Sequence, residues 1–154
     1  MRTIKTGVCV FLSILISIIF NRETYIVIAL TSIFTLREDM INTIKYGKHR
    51  VVGNLVGALT SIIVIFIFSL IGNSDIIQLF VIPLIVVIMI ATLANLGFHE
   101  GTVGACATLL TILFMIPGDK SYSYAFARVI DSFIGMGIAL LVNSYLPTKI
   151  KKEG

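Results

Sequence analysis

The chain has 154 residues, of which 57% are hydrophobic and 13% are charged, with a formal net charge of +4. Its mean hydropathy is +1.03, and a soluble domain with so few polar residues could not cover its own surface. The basic residues gather at the ends of apolar runs rather than on one basic face. This distribution argues against nucleic-acid binding and favours a membrane protein whose positive loops face the cytoplasm.

Apolar runs separated by short polar loops predict an all-α integral membrane protein with six transmembrane helices, in a single membrane domain over residues 1–154. A helix needs about 20 apolar residues to cross roughly 30 Å of hydrocarbon. The predicted helices span about 4–20, 24–38, 51–71, 76–94, 101–117 and 124–146. The second and the fifth are the weaker ones, because the second is short and the fifth is interrupted by Gly and Thr.

The distribution of charge indicates that the second helix crosses the membrane. With six spans and the N-terminus inside, nine basic residues lie on the cytoplasmic side and three on the outer side. If the second segment does not cross, the later loops exchange sides, and four basic residues lie inside against eight outside. The positive-inside rule therefore favours six spans, with both termini in the cytoplasm of a bacterial-type inner or plasma membrane.

Residues 37–50 (REDMINTIKYGKHR) form a long connection between the second and third helices. Met40, Ile41 and Ile44 fall on one helical face, and the basic residues lie on other faces. This pattern predicts an amphipathic cytoplasmic extension of the second helix that lies at the membrane surface. An ordinary solvated charged loop is the alternative.

Two stretches of the chain resemble each other. Residues 46–59 read YGKHRVVGNLVGAL and residues 124–137 read YAFARVIDSFIGMG, and the two share four residues, including the Arg50/Arg128 pair. Each stretch opens the third helix of a three-helix unit. Because three is an odd number, the second unit must enter the membrane from the opposite side, which makes a 3+3 inverted repeat of the kind common in secondary transporters. A coincidental match of basic, Val, Ile and Gly residues is the alternative.

Short or Gly-interrupted helices at matching positions of such a repeat indicate a binding site near the membrane midplane. The second and fifth predicted helices hold these positions, and they offer Thr31, Thr35 and Thr108 as candidate substrate contacts. The alternative is that Thr and Gly there simply allow close helix packing.

Charged residues in and beside the apolar segments are candidates for chemistry. Arg128 and Asp131 stand three residues apart on the sixth helix, and charged residues in such segments usually face the bundle interior. Arg128 can meet an anionic substrate while Asp131 titrates or positions it; alternatively, the pair fixes helix packing. His99 and Glu100 are further proton-coupling candidates, although a Glu before a helix is also favourable on electrostatic grounds alone.

Small residues spaced four apart open the third helix at Gly53 and Gly57 and recur on the sixth at Gly135 and Ala139. This spacing lets helices approach closely, so it predicts packing and not a particular activity. The sequence contains no Ser–His–Asp set, HExxH motif or phosphate-binding glycine loop. We therefore expect neither an enzyme nor a bound cofactor or metal.

Three segments resemble the aromatic acid exporter family, also described as fusaric acid resistance-like (FUSC) membrane proteins. They are RTIKTGVCVFLSI at the start, YGKHRVVGNLVGAL before the third helix and ARVIDSFIGMGIALLVNSYLP at the end. The resemblance implies a six-helix membrane domain that exports aromatic carboxylic acids or similar amphipathic anions, driven by the proton gradient. The positions that it carries over are Arg50, Gly53, Gly57, Arg128, Asp131, Gly135 and Asn143.

These observations together predict a secondary exporter of small aromatic or amphipathic organic anions, coupled to protons, with substrate contacts at Arg128, Asp131 and Arg50. Its expected partners are the lipid bilayer, a small organic anion and further copies of itself in a homo-oligomer. Many members of the family carry an additional domain, whereas this chain ends at residues 149–154. The alternative is therefore a non-transporting membrane scaffold or accessory subunit of a larger complex.

Overall fold

The computed structural model describes residues 2–21, 25–72, 74–116 and 120–146, and these residues form helices and turns without a β-strand. The α-helices in chain order are α1 (Arg2–Ile19), α2 (Tyr25–Thr35), α3 (Met40–Ile71), α4 (Asp75–Asn95), α5 (Thr102–Met115) and α6 (Ser121–Tyr145). A short 3₁₀ turn, His99–Gly101, precedes α5. The all-α class predicted from the sequence is confirmed for these residues.

Three helices are long and apolar enough to cross a membrane: Met40–Ile71, Asp75–Asn95 and Ser121–Tyr145. The other apolar helices are shorter and cover Thr3–Ile19, Tyr25–Thr35 and His99–Met115. Large apolar side chains also cover the outside of the helices, as at Phe80 and Phe126, each 71% exposed. Such a surface is stable against lipid rather than water, which identifies a multi-pass membrane protein.

The connection between α2 and α3 differs from the sequence prediction. Residues 40–50 are helical, but they continue into α3 and do not extend α2. The reason is local: Asp39 precedes α3, and its Oδ2 accepts a hydrogen bond from the Asn42 backbone N–H at 3.0 Å. This is the N-cap arrangement that begins a helix. The hydrogen bonds from Asn42 also hold the pKa of the Asp39 carboxyl below its usual range.

The described residues group into two compact units, of which the first draws on both ends of the sequence and the second on its middle. The first unit contains residues 2–21, 25–48 and 131–146, and the second contains residues 49–72, 74–116 and 120–130. The core of the first unit is formed by Cys9, Ile28, Leu36, Ile138, Ala139 and Val142. The second unit has two core clusters, one formed by Val64, Met89, Leu93, Ala105 and Leu109 and the other by Ala58, Ile112 and Ala125.

The two units share one kind of helix contact. The first combines α1, α2 and the start of α3 with the later part of α6, and the second combines most of α3, α4 and α5 with the start of α6. In the first unit, a Cβ added to Gly135 of α6 would lie 2.7 Å from the carbonyl oxygen of Ile28 in α2. In the second unit, a Cβ added to Gly57 of α3 would clash with the carbonyl oxygen of Ala105 in α5. In both units, therefore, a glycine lets the backbones of a long and a short helix touch.

Candidate functional site

A chain of hydrogen bonds joins three helices in the interior of the second unit. The Nε of Arg128 on α6 donates to the hydroxyl oxygen of Thr108 on α5 at 3.2 Å. That hydroxyl in turn donates to Oδ1 of Asn54 on α3 at 3.1 Å, and Nη1 of Arg128 donates to the Tyr124 hydroxyl at 3.4 Å. Thr108 is fully buried and Asn54 nearly so, so this polar cluster lies inside an otherwise apolar bundle.

Glycines at the contact between α3 and α5 leave space for this polar cluster. A Cβ added to Gly53 would clash with the backbone of Gly101, so α3 meets the 3₁₀ turn before α5 backbone to backbone. One turn into α5, a Cβ at Gly104 would lie 2.8 Å from Oδ1 of Asn54. The absence of side chains at these positions allows Asn54 to reach Thr108 across the helix contact.

A second arginine lies beside the polar cluster. The guanidinium carbon of Arg50 would be 3.6 Å from a Cβ at Gly104, and the charge of Arg50 is close enough to that of Arg128 for the two to repel. Each guanidinium carries five N–H donors in a planar fork that matches a carboxylate. An anion bound between the two arginines would relieve their repulsion, so the polar cluster has the chemistry of a carboxylate site.

The other predicted substrate contacts belong to the first unit. Thr31 and Thr35 on α2 are buried, and Asp131 on α6 is fully buried. Thr31 lies against Gly135, and the Thr35 hydroxyl has no hydrogen-bond partner among the residues that the structure describes. The structure thus brings Arg50, Thr108 and Arg128 together in one unit and places the remaining three in the other.

His99 and Glu100, the other proton-coupling candidates, form the 3₁₀ turn before α5 and are both exposed. The hydrogen bonds of the polar cluster run through Asn54 and Tyr124 instead, two residues that the sequence analysis did not single out. Asn54 could have been recognised as an amide one turn after Arg50 within an apolar helix. In the described parts of the chain, no three His, Cys, Asp or Glu side chains gather as a metal site would require.

The first unit contains a second buried network, which the sequence analysis also missed. Nζ of Lys5 donates to Oδ1 of Asn143 at 2.7 Å, and Nδ2 of Asn143 donates to the Thr43 hydroxyl at 3.1 Å. That hydroxyl donates to the backbone carbonyl of Asp39 at 2.8 Å. The network therefore joins α1, α6 and the start of α3. Lys5 is one of the nine basic residues that the positive-inside rule assigns to the cytoplasmic side.

Comparison with known proteins places the chain in a family. The family model described as "Aromatic acid exporter family member 1" matches residues 1–146. A UPF0421 protein of Staphylococcus saprophyticus is 34% identical over 92% of this chain and 41% of its own length. UPF0421 proteins of Staphylococcus haemolyticus and Bacillus cereus are 32% and 30% identical, over 99% and 94% of this chain and 44% and 38% of their own lengths.

This chain therefore spans about two-fifths of the length of the curated relatives it matches. No solved structure matches it. The family is one of exporters rather than enzymes, and the family match covers every helix described above. The chain belongs to the aromatic acid exporter family.

Proposed function

We propose that this chain forms the membrane domain of a secondary exporter of small aromatic or amphipathic organic anions. Its membership of an exporter family indicates a transport role. The observation that carries the choice of substrate is the hydrogen bond from Arg128 to the hydroxyl of the buried Thr108, with Arg50 alongside. A carboxylate suits both guanidinium groups, because each offers a planar fork of N–H donors.

The lengths and contacts of the helices support a six-span inverted repeat. The short helices α2 and α5, of 11 and 14 residues, are the second members of the two predicted three-helix halves. Short helices at corresponding positions are typical of transporters that bind substrate near the midplane. Gly57 of α3 contacts α5 in one unit, and Gly135 of α6 contacts α2 in the other. These contacts fit an inverted repeat in which the third helix of each half packs against the second helix of the other half.

Asp131 is the residue that we propose to carry the coupling proton. A group that alternates between charge states during transport must be shielded from bulk water, and Asp131 is fully buried. His99 and Glu100 are exposed, which favours Asp131 over both. Protonation of a carboxylate within the bundle would remove its negative charge, and we propose that this step accompanies release of the anion.

The proposed location is the plasma membrane of a bacterial cell, with both termini in the cytoplasm. The curated relatives are bacterial, and the positive-inside rule favours this orientation. We also propose that the domain works as a homo-oligomer, which light scattering of the purified protein in detergent would test.

Flux of radiolabelled benzoate into proteoliposomes, with and without a pH gradient, tests the proposed function. We expect uptake that depends on the gradient and that falls by at least about tenfold in Arg128→Gln, the loss of one charge-assisted contact. Lys120→Gln is the matched control, because Lys120 is an exposed basic residue just before α6. Absence of flux, together with stable co-purification of a larger membrane partner, would favour the scaffold alternative.

A further inference from the structure

Four buried side chains form a line along α1. They follow one another at intervals of four residues and are Lys5, Cys9, Ser13 and Ser17, all in the first unit. Each is at most 3% exposed. Residues four apart form a continuous ridge on a helix, and at 1.5 Å per residue this ridge is about 18 Å long. It therefore extends through more than half of the roughly 30 Å of hydrocarbon that a membrane helix crosses.

A matching ridge lies on α6 in the same unit. Its four buried residues, again spaced by four, are Asp131, Gly135, Ala139 and Asn143. At one end the two ridges meet, where Nζ of Lys5 donates to Oδ1 of Asn143 at 2.7 Å. One turn further along α1, Cys9 belongs to the same core cluster as Ala139. The two helices therefore pack antiparallel along these ridges.

This antiparallel register brings Ser17 to the level of Asp131. Ser17 follows Lys5 by twelve residues on α1, and Asp131 precedes Asn143 by twelve residues on α6. Both residues therefore lie about 18 Å along their helices from the contact between Lys5 and Asn143. The buried carboxylate of Asp131 and the buried ammonium of Lys5 thus stand at opposite ends of one packed pair of helices.

Hydroxyl groups of α2 continue the polar line between these two ends. Oγ of Ser32 lies 3.2 Å from Oγ of Ser13. Thr31 packs against Gly135, where an added Cβ would lie 2.7 Å from the Cβ of Thr31. Together with a third buried hydroxyl on α2, these groups form a polar seam in the first unit. The residues of the polar seam are Lys5, Ser13, Ser17, Thr31, Ser32, Thr35 and Asp131.

The hydroxyl of Thr35 marks a place for water in the polar seam. Its side chain is fully buried, and its Oγ1 has no hydrogen-bond partner among the residues that the structure describes. A buried hydroxyl without a protein partner is usually satisfied by an ordered water. On α2, Thr35 follows Ser32 in the direction of Thr43, which accepts a hydrogen bond from Asn143. A water at Thr35 would therefore lie between the serine pair and the network of Lys5.

The hydroxyls in the polar seam have a choice of acceptors. Oγ of Ser13 donates to the backbone carbonyl of Cys9 at 2.7 Å and also lies within reach of Ser32. Ser32 in turn donates to the backbone carbonyl of Ala29 at 2.8 Å. A hydroxyl has one proton and two lone pairs, so each serine donates to only one acceptor at a time. Rotation between the acceptors lets a hydroxyl take a proton on one side and give its own on the other.

We propose that the polar seam carries the coupling proton between Asp131 and the cytoplasmic end of the first unit at Lys5. The proposal rests on the proposed function, which makes Asp131 the group that binds this proton. The proton leaves the Asp131 carboxyl and passes along the hydroxyls and the waters between them, each of which gains one proton and loses one. The Lys5 ammonium releases a proton to the cytoplasm, and the amine that remains takes up the proton arriving along the polar seam.

Two transport measurements on the full chain in proteoliposomes test the polar seam, with protein-free liposomes as the blank. Benzoate flux driven by a pH gradient requires the proton to cross the seam, whereas exchange of labelled for unlabelled benzoate at equal pH does not. We expect Ser13→Ala and Ser17→Ala to lower the driven flux at least about tenfold, as loss of a proton-transfer group does, and to leave exchange unchanged. Ser69→Ala, which removes an exposed hydroxyl bonded to its own helix at Phe66, should change neither.

The outcomes separate this proposal from the proposed function. If Asp131→Asn abolishes driven flux while both serine variants transport like the unaltered protein, the polar seam is refuted and Asp131 stands as the coupling group. If Asp131→Asn is still driven by the gradient, the coupling role of Asp131 fails, and the seam with it. Equal losses of driven flux and exchange in folded serine variants would show that these hydroxyls only pack helices. Should Ser13→Ala fail to fold, Ser17→Ala must still separate the two fluxes.

Discussion

Nζ of Lys5 lies 2.7 Å from Oδ1 of Asn143, a contact between two buried side chains 138 positions apart in the chain. It holds the start of α1 to the end of α6. A hydrogen bond from a buried ammonium is among the stronger polar contacts, because the donor carries a full charge. The first and last helices of the chain are thus tied together by a bond inside the first unit.

Replacing Asn143 by Leu should destabilise the protein by about 2 kcal/mol, since the buried charge of Lys5 loses an acceptor. Lys5→Met should cost less, because it removes the charge itself. The double variant should be more stable than the sum of the two losses predicts, as measured by thermal or denaturant unfolding in detergent. Ser144→Ala, at an exposed position next to Asn143, is the control, and additive losses would contradict the coupling.

Adding a methyl group at Gly57 should be strongly destabilising. A Cβ there would clash with the carbonyl oxygen of Ala105, and a helix backbone cannot shift as a flexible side chain can. We expect Gly57→Ala to lose about 3 kcal/mol or to fail to fold. Gly137→Ala, where no atom of the described residues lies within 4 Å of the added Cβ, should be neutral or stabilising by up to about 1 kcal/mol. Equal melting temperatures of the two variants would show that the helix contact is looser than described.

The Thr108 hydroxyl links Arg128 to Asn54, so its removal should impair anion transport more than stability. Thr108→Val keeps the shape of the side chain and removes the link. We expect about tenfold lower kcat/KM for benzoate flux, equivalent to about 1.4 kcal/mol, mainly through a higher KM. Thr111→Val removes a hydroxyl that donates to the backbone carbonyl of Ala107 in its own helix, and it should transport normally. A normal KM in Thr108→Val would show that the Thr108 hydroxyl does not contribute to substrate binding.

The start of α3 should respond to acid through Asp39. Hydrogen bonds from Asn42 lower the pKa of this carboxyl in the folded protein, whereas in the unfolded chain it titrates near its usual value of about 3.9. The stabilisation is therefore fully present above about pH 4 and is lost as the pH falls through the lower folded pKa. Asp39→Asn, which keeps a capping side chain without the charge, should flatten this part of the pH–stability curve. Glu38→Gln, at the exposed neighbour, should not.

The proposed six-span topology places Lys48 and Lys120 on opposite sides of the membrane. Both side chains are exposed, so single cysteines there can be labelled in a background of Cys9→Ala and Cys106→Ala. A membrane-impermeant maleimide should label Lys120→Cys in intact cells, and Lys48→Cys only after the membrane is permeabilised. Labelling of both from the same side would rule out the inverted repeat.

Features that depend on short stretches of sequence could be predicted. Membrane character and the approximate positions of the helices follow from runs of apolar residues, since hydrocarbon selects each segment by its own composition. The Thr and Gly residues in the sequences of α2 and α5 also indicated that these two are the less clearly predicted membrane helices. The start of α3 was predicted wrongly, although its cause is local: the Asp39 cap was not recognised, and residues 40–50 were assigned to the preceding helix.

The partners of each polar side chain were decided only by the tertiary structure. Arg128 was recognised as a costly charge, but its partners depend on how the helices rotate and slide against one another. The same holds for the other buried polar contacts. They are the bonds of Arg128 with Thr108 and Tyr124, of Thr108 with Asn54 and of Lys5 with Asn143. In a soluble helix, the polar face shows which side points inward. Here lipid and core are equally apolar, so hydropathy shows where the helices lie in the sequence but not which face of each helix points inward. Packing at residues such as Gly53 and Gly57 determines that face.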